Sequence, residues 1–388
     1  MNSSPRRKIA LIFGTRPEAI KMAPVVKALC SQSDIFEPIV IATAQHREMM
    51  DQVLKIFQIK PAIDLNIMRP EQSLSDVLHA CVTKIGKIFE KLRPDIVLVQ
   101  GDTTSTFAGA LSAFYHKIPV GHVEAGLRTG DKYRPFPEEI NRRLTTQLTD
   151  VHFPPTSRAK DQLLREGISP ESIYLTGNTV VDALLQISGH EFDIAKLGIR
   201  NGFLDKKLVL VTVHRRESFG EPIRNVCRAV RRLAEEFAEE ISVFIPAHRN
   251  PEAWNAVHEV LGKLPNVMIT SPIEYLPLVH LLKRANFVIT DSGGIQEEAP
   301  TFGKPVLVAR EKTERPEGID AGVVELVGLD ENHIFSSASR LLRDKNAYDK
   351  MSRVVNPYGD GKAAVRIVGA LKHFFGFTSE RPSEFRAT

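Results

Sequence analysis

Residues able to hold an anion or move a proton recur along this chain immediately after apolar runs. Phe287-Val-Ile-Thr290 leads directly into Asp291-Ser-Gly-Gly-Ile-Gln-Glu-Glu-Ala-Pro300. A strand running into a helix start has its turn at Asp291 to Gly294. Asp291 or Ser292 can cap that helix, while Gly293 and Gly294 leave backbone N–H groups open to a ligand. Open N–H groups at the positive end of a helix dipole form an anion site, most naturally for a phosphate. Glu298 lies about one turn beyond Gly294, on a face that reaches hydroxyls attached to that phosphate. Ser292, Gly293, Gly294 and Glu298 therefore suggest a nucleoside diphosphate with Glu298 on its ribose. The stretch also reads as a capped helix with glycines for tight packing, and alone it fits both.

Other strand ends carry charge. Gly14-Thr-Arg16-Pro-Glu-Ala-Ile-Lys21 follows the first apolar run, and two cations beside a helix N-terminus neutralise a diphosphate, although a solvated Lys21 fits equally. Asp102, in Gln100-Gly-Asp-Thr-Thr-Ser-Thr106, is a catalytic candidate and also an obvious helix cap. Glu124 follows Pro119-Val-Gly-His-Val123, where a carboxylate has no evident structural need. Glu138 sits in the first turn of a helix with Arg142 one turn on, which is either a site or a surface ion pair. Three carboxylates with cations nearby offer acids and bases of differing pKa. Proton transfer outranks nucleophilic catalysis, because the chain has no Gly-x-Ser-x-Gly elbow, Walker loop or His-Glu-x-x-His helix. His214, His248 and Arg315 follow further apolar runs, and Arg315 is placed to reach the same nucleotide.

The elements that position these residues alternate from end to end, apolar strand then helical pattern, which indicates parallel sheets covered by helices. The spacing predicts strands at Lys8 to Phe13, Pro38 to Thr43, Asp95 to Val99, Pro119 to Val123, Val151 to Phe153 and Ile173 to Leu175. Helices are expected at Pro17 to Cys30, Arg47 to Phe57, Ser73 to Lys91 and Pro137 to Leu148. From Ser188 to Lys206 the pattern loosens, and this is the expected hinge. Alternation restarts with Leu208 to Val213, Ile241 to Ile245, Val267 to Thr270, Phe287 to Thr290 and Pro305 to Val308. The expected architecture is α/β, two doubly wound Rossmann-like domains facing across a cleft, at 1–187 and 207–359. Ligands of such sheets bind outside the carboxyl ends of the strands.

Composition bounds the function. The 388 residues suggest two domains, and 43% hydrophobic with 25% charged residues fills full-sized cores. Basic and acidic residues nearly cancel, 51 against 47, so nucleic acid is not an expected partner. No stretch approaches the roughly 20 apolar residues that span a bilayer, so no membrane partner is expected. Cys30, Cys81 and Cys227 lack metal-ligand or redox spacing, which fits a reduced cytoplasmic compartment and no metal. Arg6-Arg7-Lys8 before Ile9 superficially suggests an export signal, but the apolar run breaks at Gly14 and reads as a first strand. Gly359-Asp-Gly361-Lys-Ala-Ala364 mimics a dinucleotide loop without a preceding strand, so no nicotinamide cofactor is expected.

Taken together, Phe13-Gly-Thr-Arg-Pro-Glu-Ala-Ile-Lys21-Met-Ala-Pro24, Thr43-Ala-Gln-His-Arg-Glu-Met49, Gly101-Asp-Thr-Thr104, Gly121-His-Val-Glu-Ala-Gly-Leu-Arg-Thr129, Pro137-Glu-Glu139, Asn141-Arg142, His214-Arg-Arg-Glu217, the Asp291 to Pro300 stretch and Thr313-Glu-Arg-Pro-Glu317 closely resemble the non-hydrolysing UDP-N-acetylglucosamine 2-epimerases. The resemblance runs from about Phe13 to Gly361. It implies the two-domain GT-B fold with UDP in the cleft and a C-terminal helix, 360–388, returning to the first domain. It implies UDP contacts by Arg16, Ser292, Gly293, Gly294, Glu298 and Arg315, catalytic roles for Asp102, Glu124, Glu138 and His214, and support from Lys21 and Arg142. Gln45, His46, Gln72, Arg215 and His248 match positions associated with a second, regulatory substrate site. Departures from the pattern occur at Arg134, Val213 and Arg249, and those at Arg134 and Arg249 bear on rim contacts and regulation more than on chemistry. A homodimer is expected by resemblance alone.

The implied chemistry suits this inventory. The C2 hydrogen of an N-acetylhexosamine is not next to a ring carbonyl, so direct deprotonation is prohibitively uphill. Elimination of UDP from C1 as the C2 proton leaves gives 2-acetamidoglucal, and UDP adds back after reprotonation from the other face. That route needs a held diphosphate and acid/base groups on both faces of C2. A modified UDP-HexNAc as substrate, a glycosyltransferase on the same fold and a noncatalytic UDP-sugar sensor are the competing readings.

Overall fold

A computed structural model describes residues 6–43, 47–69, 71–215 and 220–387. The chain divides into two compact units, Met1–Ala183 with Tyr358–Arg386, and Leu184–Pro357 with Ala387–Thr388. The first unit has strands β1 (Arg7–Phe13), β2 (Phe36–Ala42), β3 (Ile63–Asp64), β4 (Ile96–Gln100), β5 (Val120–Val123) and β6 (Val151–Phe153). The second has β7 (Lys207–Thr212), β8 (Ile241–Pro246), β9 (Val267–Thr270), β10 (Phe287–Thr290), β11 (Val306–Val308) and β12 (Val324–Leu326). The sheet orders are β3-β2-β1-β4-β5-β6 and β12-β11-β10-β7-β8-β9. Pairing is parallel throughout. Renumbered within its unit, the second order repeats the first, so both units are doubly wound Rossmann-like folds, as expected.

Both faces of each sheet are covered, which is why the strands read as continuous apolar runs. In the second unit Val209 and Val211 pack into one cluster and Leu208 and Leu210 into another, the two-residue alternation of a strand between helix layers. In the first, Ala10 and Ile12 join Val97 and Val99 on one face. In both sheets the order reverses between two central strands, β1 and β4 in one, β7 and β10 in the other. Residues leaving those neighbours must meet at the carboxyl edge.

Several boundaries differ from expectation for local reasons. Ile173 to Leu175 makes only an isolated bridge, Ile173 to His152, at the free edge of β6. The three-residue stretch is shared, with Leu175 accepting from the Phe385 N–H at 2.9 Å. The short edge strands β3 and β12 carry too few apolar residues to stand out as runs. The 188–206 segment, the expected hinge, falls in the second unit, where Phe203 is buried in the core with Ile194, Leu197 and Ile199 packed against that core. Pro137 and Leu148 prove to be the caps of helix Glu138–Gln147.

Helix Ala363–Phe374 lies in the first unit, against helix Arg16–Cys30. Its first turn is held by Asp182, whose carboxylate accepts from the Ala363 and Ala364 N–H groups at 3.2 and 2.9 Å. Asp360 beyond it pairs with Arg366 through two bonds of 2.7 Å. Burial dominates at Asp182 and pushes its pKa up to about 6, against the lowering effect of those two N–H groups. A carboxyl that binds its proton more tightly folded than unfolded favours the folded state below its unfolded pKa. That contribution is lost as pH rises from about 4 through about 6. Relative to Asp182→Asn, the wild-type chain should therefore lose on the order of 2–3 kcal/mol of stability across that window. Parallel melts at pH 4 and pH 7 measure it, and a constant difference between the two proteins would refute it.

Candidate active site

In the first unit, Gly14 and Thr15 turn the chain from β1 into helix Arg16–Cys30. A Cβ at Gly14 would lie 1.8 Å from Thr43 Oγ1, so only glycine lets the turn pass. Glu18, buried, accepts from the Gly14 and Thr15 N–H groups at 3.0 and 2.7 Å and from the Thr103 and Thr106 hydroxyls at 2.7 and 2.9 Å. One carboxylate thereby ties the turn after β1 to the turn after β4. Pro17 starts the helix and leaves Arg16 half-buried at its first position.

One turn into that helix, Lys21 Nζ donates to both oxygens of Glu124, at 2.6 and 2.7 Å. Their side chains are 10% and 7% exposed, so this is a buried ion pair and not a solvated lysine. Gln100 Nε2, at the end of β4, also donates to Glu124. Glu124 itself has φ +66°, a left-handed conformation that costs energy outside glycine and directs its side chain where β5 ends.

Asp102 does not cap a helix. Thr103 is the N-cap, and its hydroxyl accepts from the Thr106 N–H at 3.2 Å. The Asp102 carboxylate instead takes the Arg142 guanidinium, with Nε at 2.8 Å and the terminal nitrogen at 2.7 Å. Asn141 Nδ2 donates to the Asp102 carbonyl at 3.0 Å. Arg142 points inward, to Asp102 and to the fully buried Glu139 at 3.4 Å, so it is not a surface cation. Glu139 in turn accepts from the Thr129 and Gly130 N–H groups at 3.0 and 3.4 Å, fixing the loop ahead of half-buried Glu138. Arg128 anchors the same loop from below through Glu166 at 2.8 and 2.7 Å. Gln72 accepts from the Arg69 N–H at 2.7 Å. With Arg69, His79 and Lys84 it lines a pocket of about 440 Å³. Gln45 and His46 lie outside the described residues.

In the second unit, adjacency of β7 and β10 brings the His214 turn onto Asp291. Asp291 is fully buried and accepts from the His214 and Arg215 N–H groups, both at 2.8 Å, while His214 Nδ1 lies 3.2 Å from its other oxygen. Asp291 therefore faces β7 instead of capping its own helix, where Ser292 occupies the N-cap. Burial opposes its charge, but the His214 contacts and the two N–H groups hold the carboxyl below its ordinary range. The His214 ring, 43% exposed, stacks on His248 with centroids 6.0 Å apart. Burial and the neighbouring His214 both lower the His248 pKa.

Beyond Ser292, the Arg315 guanidinium lies over Gly293, where an added Cβ would come within 2.9 Å of it. Arg315 is fixed by Glu297 at 2.7 Å and Glu314 at 2.9 Å. Glu314 also lies 3.7 Å from Arg310 and 3.9 Å from Arg215. Gly294 stays open, with only Ser292 Oγ near its missing side chain, at 3.9 Å. Glu298, 5% exposed, accepts from the Tyr275 hydroxyl at 3.1 Å.

A family model described as UDP-N-acetylglucosamine 2-epimerase matches residues 28–372. The chain belongs to that family. It is 51% identical over 372 residues to the Escherichia coli K12 UDP-N-acetylglucosamine 2-epimerase, covering 94% of this chain and 98% of the relative. The S. aureus MnaA–UDP co-structure is similar at 46% identity and TM-score 0.89, over 98% of this chain and all of that one. The Neisseria meningitidis UDP-GlcNAc 2-epimerase bound to UDP-GlcNAc gives 46% identity and TM-score 0.85, over 94% and 99%.

For this epimerase-family chain, the residues singled out from sequence fall into two groups. Lys21 with Glu124 and Asp102 with Arg142 are brought into contact in the first unit, where Arg16 and Glu138 also lie. His214, Arg215, His248, Ser292, Gly293, Gly294, Glu298 and Arg315 lie in the second. Sequence reasoning missed Glu18, Gln100, Glu139 and Glu297, because a buried carboxylate or amide has no linear signature until its partners are known. It also missed the Asp291–His214 pairing, which follows from strand order alone. Asp291→Asn keeps the shape and removes the charge that two N–H groups and His214 address. Stability at pH 7 should fall by about 1.5–3 kcal/mol. Because a depressed carboxyl pKa contributes stability that is lost as pH falls through it, the deficit should shrink below pH 4. Denaturant titrations at the two pH values measure both effects.

Proposed function

We propose that this chain interconverts UDP-N-acetylglucosamine and UDP-N-acetylmannosamine by eliminating UDP across C1–C2 and adding it back to 2-acetamidoglucal. Membership of the epimerase family supports the reading, and the observation that carries it is the pair of cation-held carboxylates, Glu124 with Lys21 and Asp102 with Arg142. A proton must leave C2 on one face and return on the other, which requires acid/base groups of this kind in more than one place. Glu138 and His214 complete the proposed set. Arg16, Ser292, Gly293, Gly294 and Arg315 are the proposed diphosphate contacts, donating to the oxygens that gain charge as UDP departs, and Glu298 with Tyr275 is the proposed ribose contact.

In this reading no nicotinamide takes part, the substrate is a free UDP-sugar and the compartment is the cytoplasm. Among the described residues, no helix is long and apolar enough to cross a membrane. The proposed assembly is a homodimer. Phe114, Tyr115 and Leu144, on the packed helices Thr104–Tyr115 and Glu138–Gln147, are 58%, 63% and 43% exposed, an apolar face of the kind that subunit contacts cover. Sedimentation should give twice the chain mass, falling to one chain mass for Tyr115→Glu with Leu144→Glu; a wild-type monomer would end this part of the proposal.

Proton NMR of the protein with UDP-N-acetylglucosamine in deuterated water, without nicotinamide, tests the reaction. UDP-N-acetylmannosamine carrying deuterium at C2 is the expected product, and Glu124→Gln should lower its rate by about 100-fold or more. An unchanged spectrum despite UDP binding would transfer the reading to a UDP-HexNAc modified at C3 or C6.

A further inference from the structure

His122 is fully buried in the middle of β5, two residues before Glu124. A polar ring between Val120 and Val123 is costly unless it is hydrogen-bonded. Its Nε2 lies 2.7 Å from the Gly101 carbonyl oxygen, so Nε2 carries the proton and donates. Nδ1 has no hydrogen-bond partner among the described residues, which a neutral ring protonated at Nε2 tolerates and an imidazolium does not. Burial, with smaller contributions from His152, Arg128 and Arg142, holds the ring neutral, its pKa pushed down to about 3 despite the carbonyl contact.

The accepting carbonyl belongs to the peptide that joins Gly101 to Asp102. Gly101 has φ +74°, and its N–H donates to Val123 O at 3.0 Å. With His122 on its carbonyl, both polar groups of Gly101 are held by consecutive residues of β5. The far side of Asp102 is held by Asn141 on its carbonyl and by Arg142 on its carboxylate. Without the His122 bond the Gly101–Asp102 peptide loses the hold on its carbonyl, and a turn of that peptide shifts the Asp102 backbone from which the carboxylate is aimed.

We propose that His122 is a positioning residue, whose Nε2–H locks the Gly101–Asp102 peptide and so aims the Asp102 carboxylate for proton transfer. It touches no reacting atom and does not titrate in the working range. The inference rests on the assignment of Asp102 to the reaction proposed above.

Two variants keep a buried amide and differ only in reach. The Gln side-chain nitrogen overlays Nε2 and meets Gly101, whereas the Asn nitrogen falls at the Nδ1 position. His122→Asn should lower kcat for C2 deuterium exchange by about 100-fold with KM within about twofold, the scale of a misaimed catalytic group. His122→Gln should recover to within about tenfold of wild type. Because His122 acts through Asp102, His122→Asn should cost nothing further in an Asp102→Asn background. Equal losses for Gln and Asn, or losses that multiply in the double variant, would overturn the proposal. An Asp102→Asn protein with full turnover would instead overturn the assignment of Asp102 on which it rests. Wild-type protein with ¹⁵N-labelled histidine gives a check independent of variants. One ring should stay in the neutral Nε2–H form from pH 5 to 9 and lose that signature in His122→Gln; a His122 that titrates in this range also overturns the proposal.

Discussion

Lys21 and Glu124 set the terms for the first unit. A buried ammonium or carboxylate is costly by several kcal/mol unless its partner is in place. Both sit at the carboxyl edge of a parallel sheet with side chains about nine-tenths buried. Neighbouring features serve that meeting. Gly14 lets the chain pass Thr43, Pro17 starts the helix at once, and Glu18 binds the turn to the next strand, so that Lys21 points along the edge. On the other side, Glu124 accepts a left-handed backbone and a second donor, Gln100. A buried ion pair is weak evidence for stability, and a strained backbone is none. Their coincidence is better explained by chemistry at that edge than by folding.

The second unit uses the same strand order for a different purpose. Its buried carboxylate, Asp291, is spent on backbone N–H groups and a histidine, which rigidifies the turn after β7. Its arginine lies over a glycine and is paired with Glu297 and Glu314. A guanidinium held this way loses little further freedom when it meets an anion, and its planar fork suits phosphate oxygens. The first unit thus concentrates cation-held carboxylates and the second preformed donors, though each has the topology of the other.

Much of this is legible in the amino-acid sequence. Period and punctuation marked ten of the twelve strands among the described residues, and the rule that ligands meet strand carboxyl ends narrowed the candidates to the turns that follow them. Pairing was the hidden part. Asp102 before four threonine or serine positions reads as a cap, and the actual cap is Thr103, one residue on. Glu138 with Arg142 is a favourable helical spacing, and Arg142 nevertheless turns inward to a residue forty positions earlier in the chain. Local rules rank local partners, whereas a buried guanidinium is claimed by whichever carboxylates the sheet order delivers. His122 was silent for the same reason: its one bond crosses from β5 to the turn after β4.

The pairing also bears on why an elimination suits this site. A proton arriving on a carboxylate held by a buried cation leaves that cation without its counter-ion, which opposes simple deprotonation. In an elimination the charge does not vanish: as the base is neutralised, the departing diphosphate gains the same negative charge. A cation near both, as Lys21 and Arg16 are in the reading proposed here, keeps a partner throughout. Negative charge is moved within the field of fixed cations and little reorganisation is needed at the moment of reaction. Abstraction of the C2 proton without loss of UDP has no such compensation, because the new charge resides on a carbon with no adjacent carbonyl. Coupling proton loss to departure of an anion is thus what buried, cation-held carboxylates are electrostatically suited to promote.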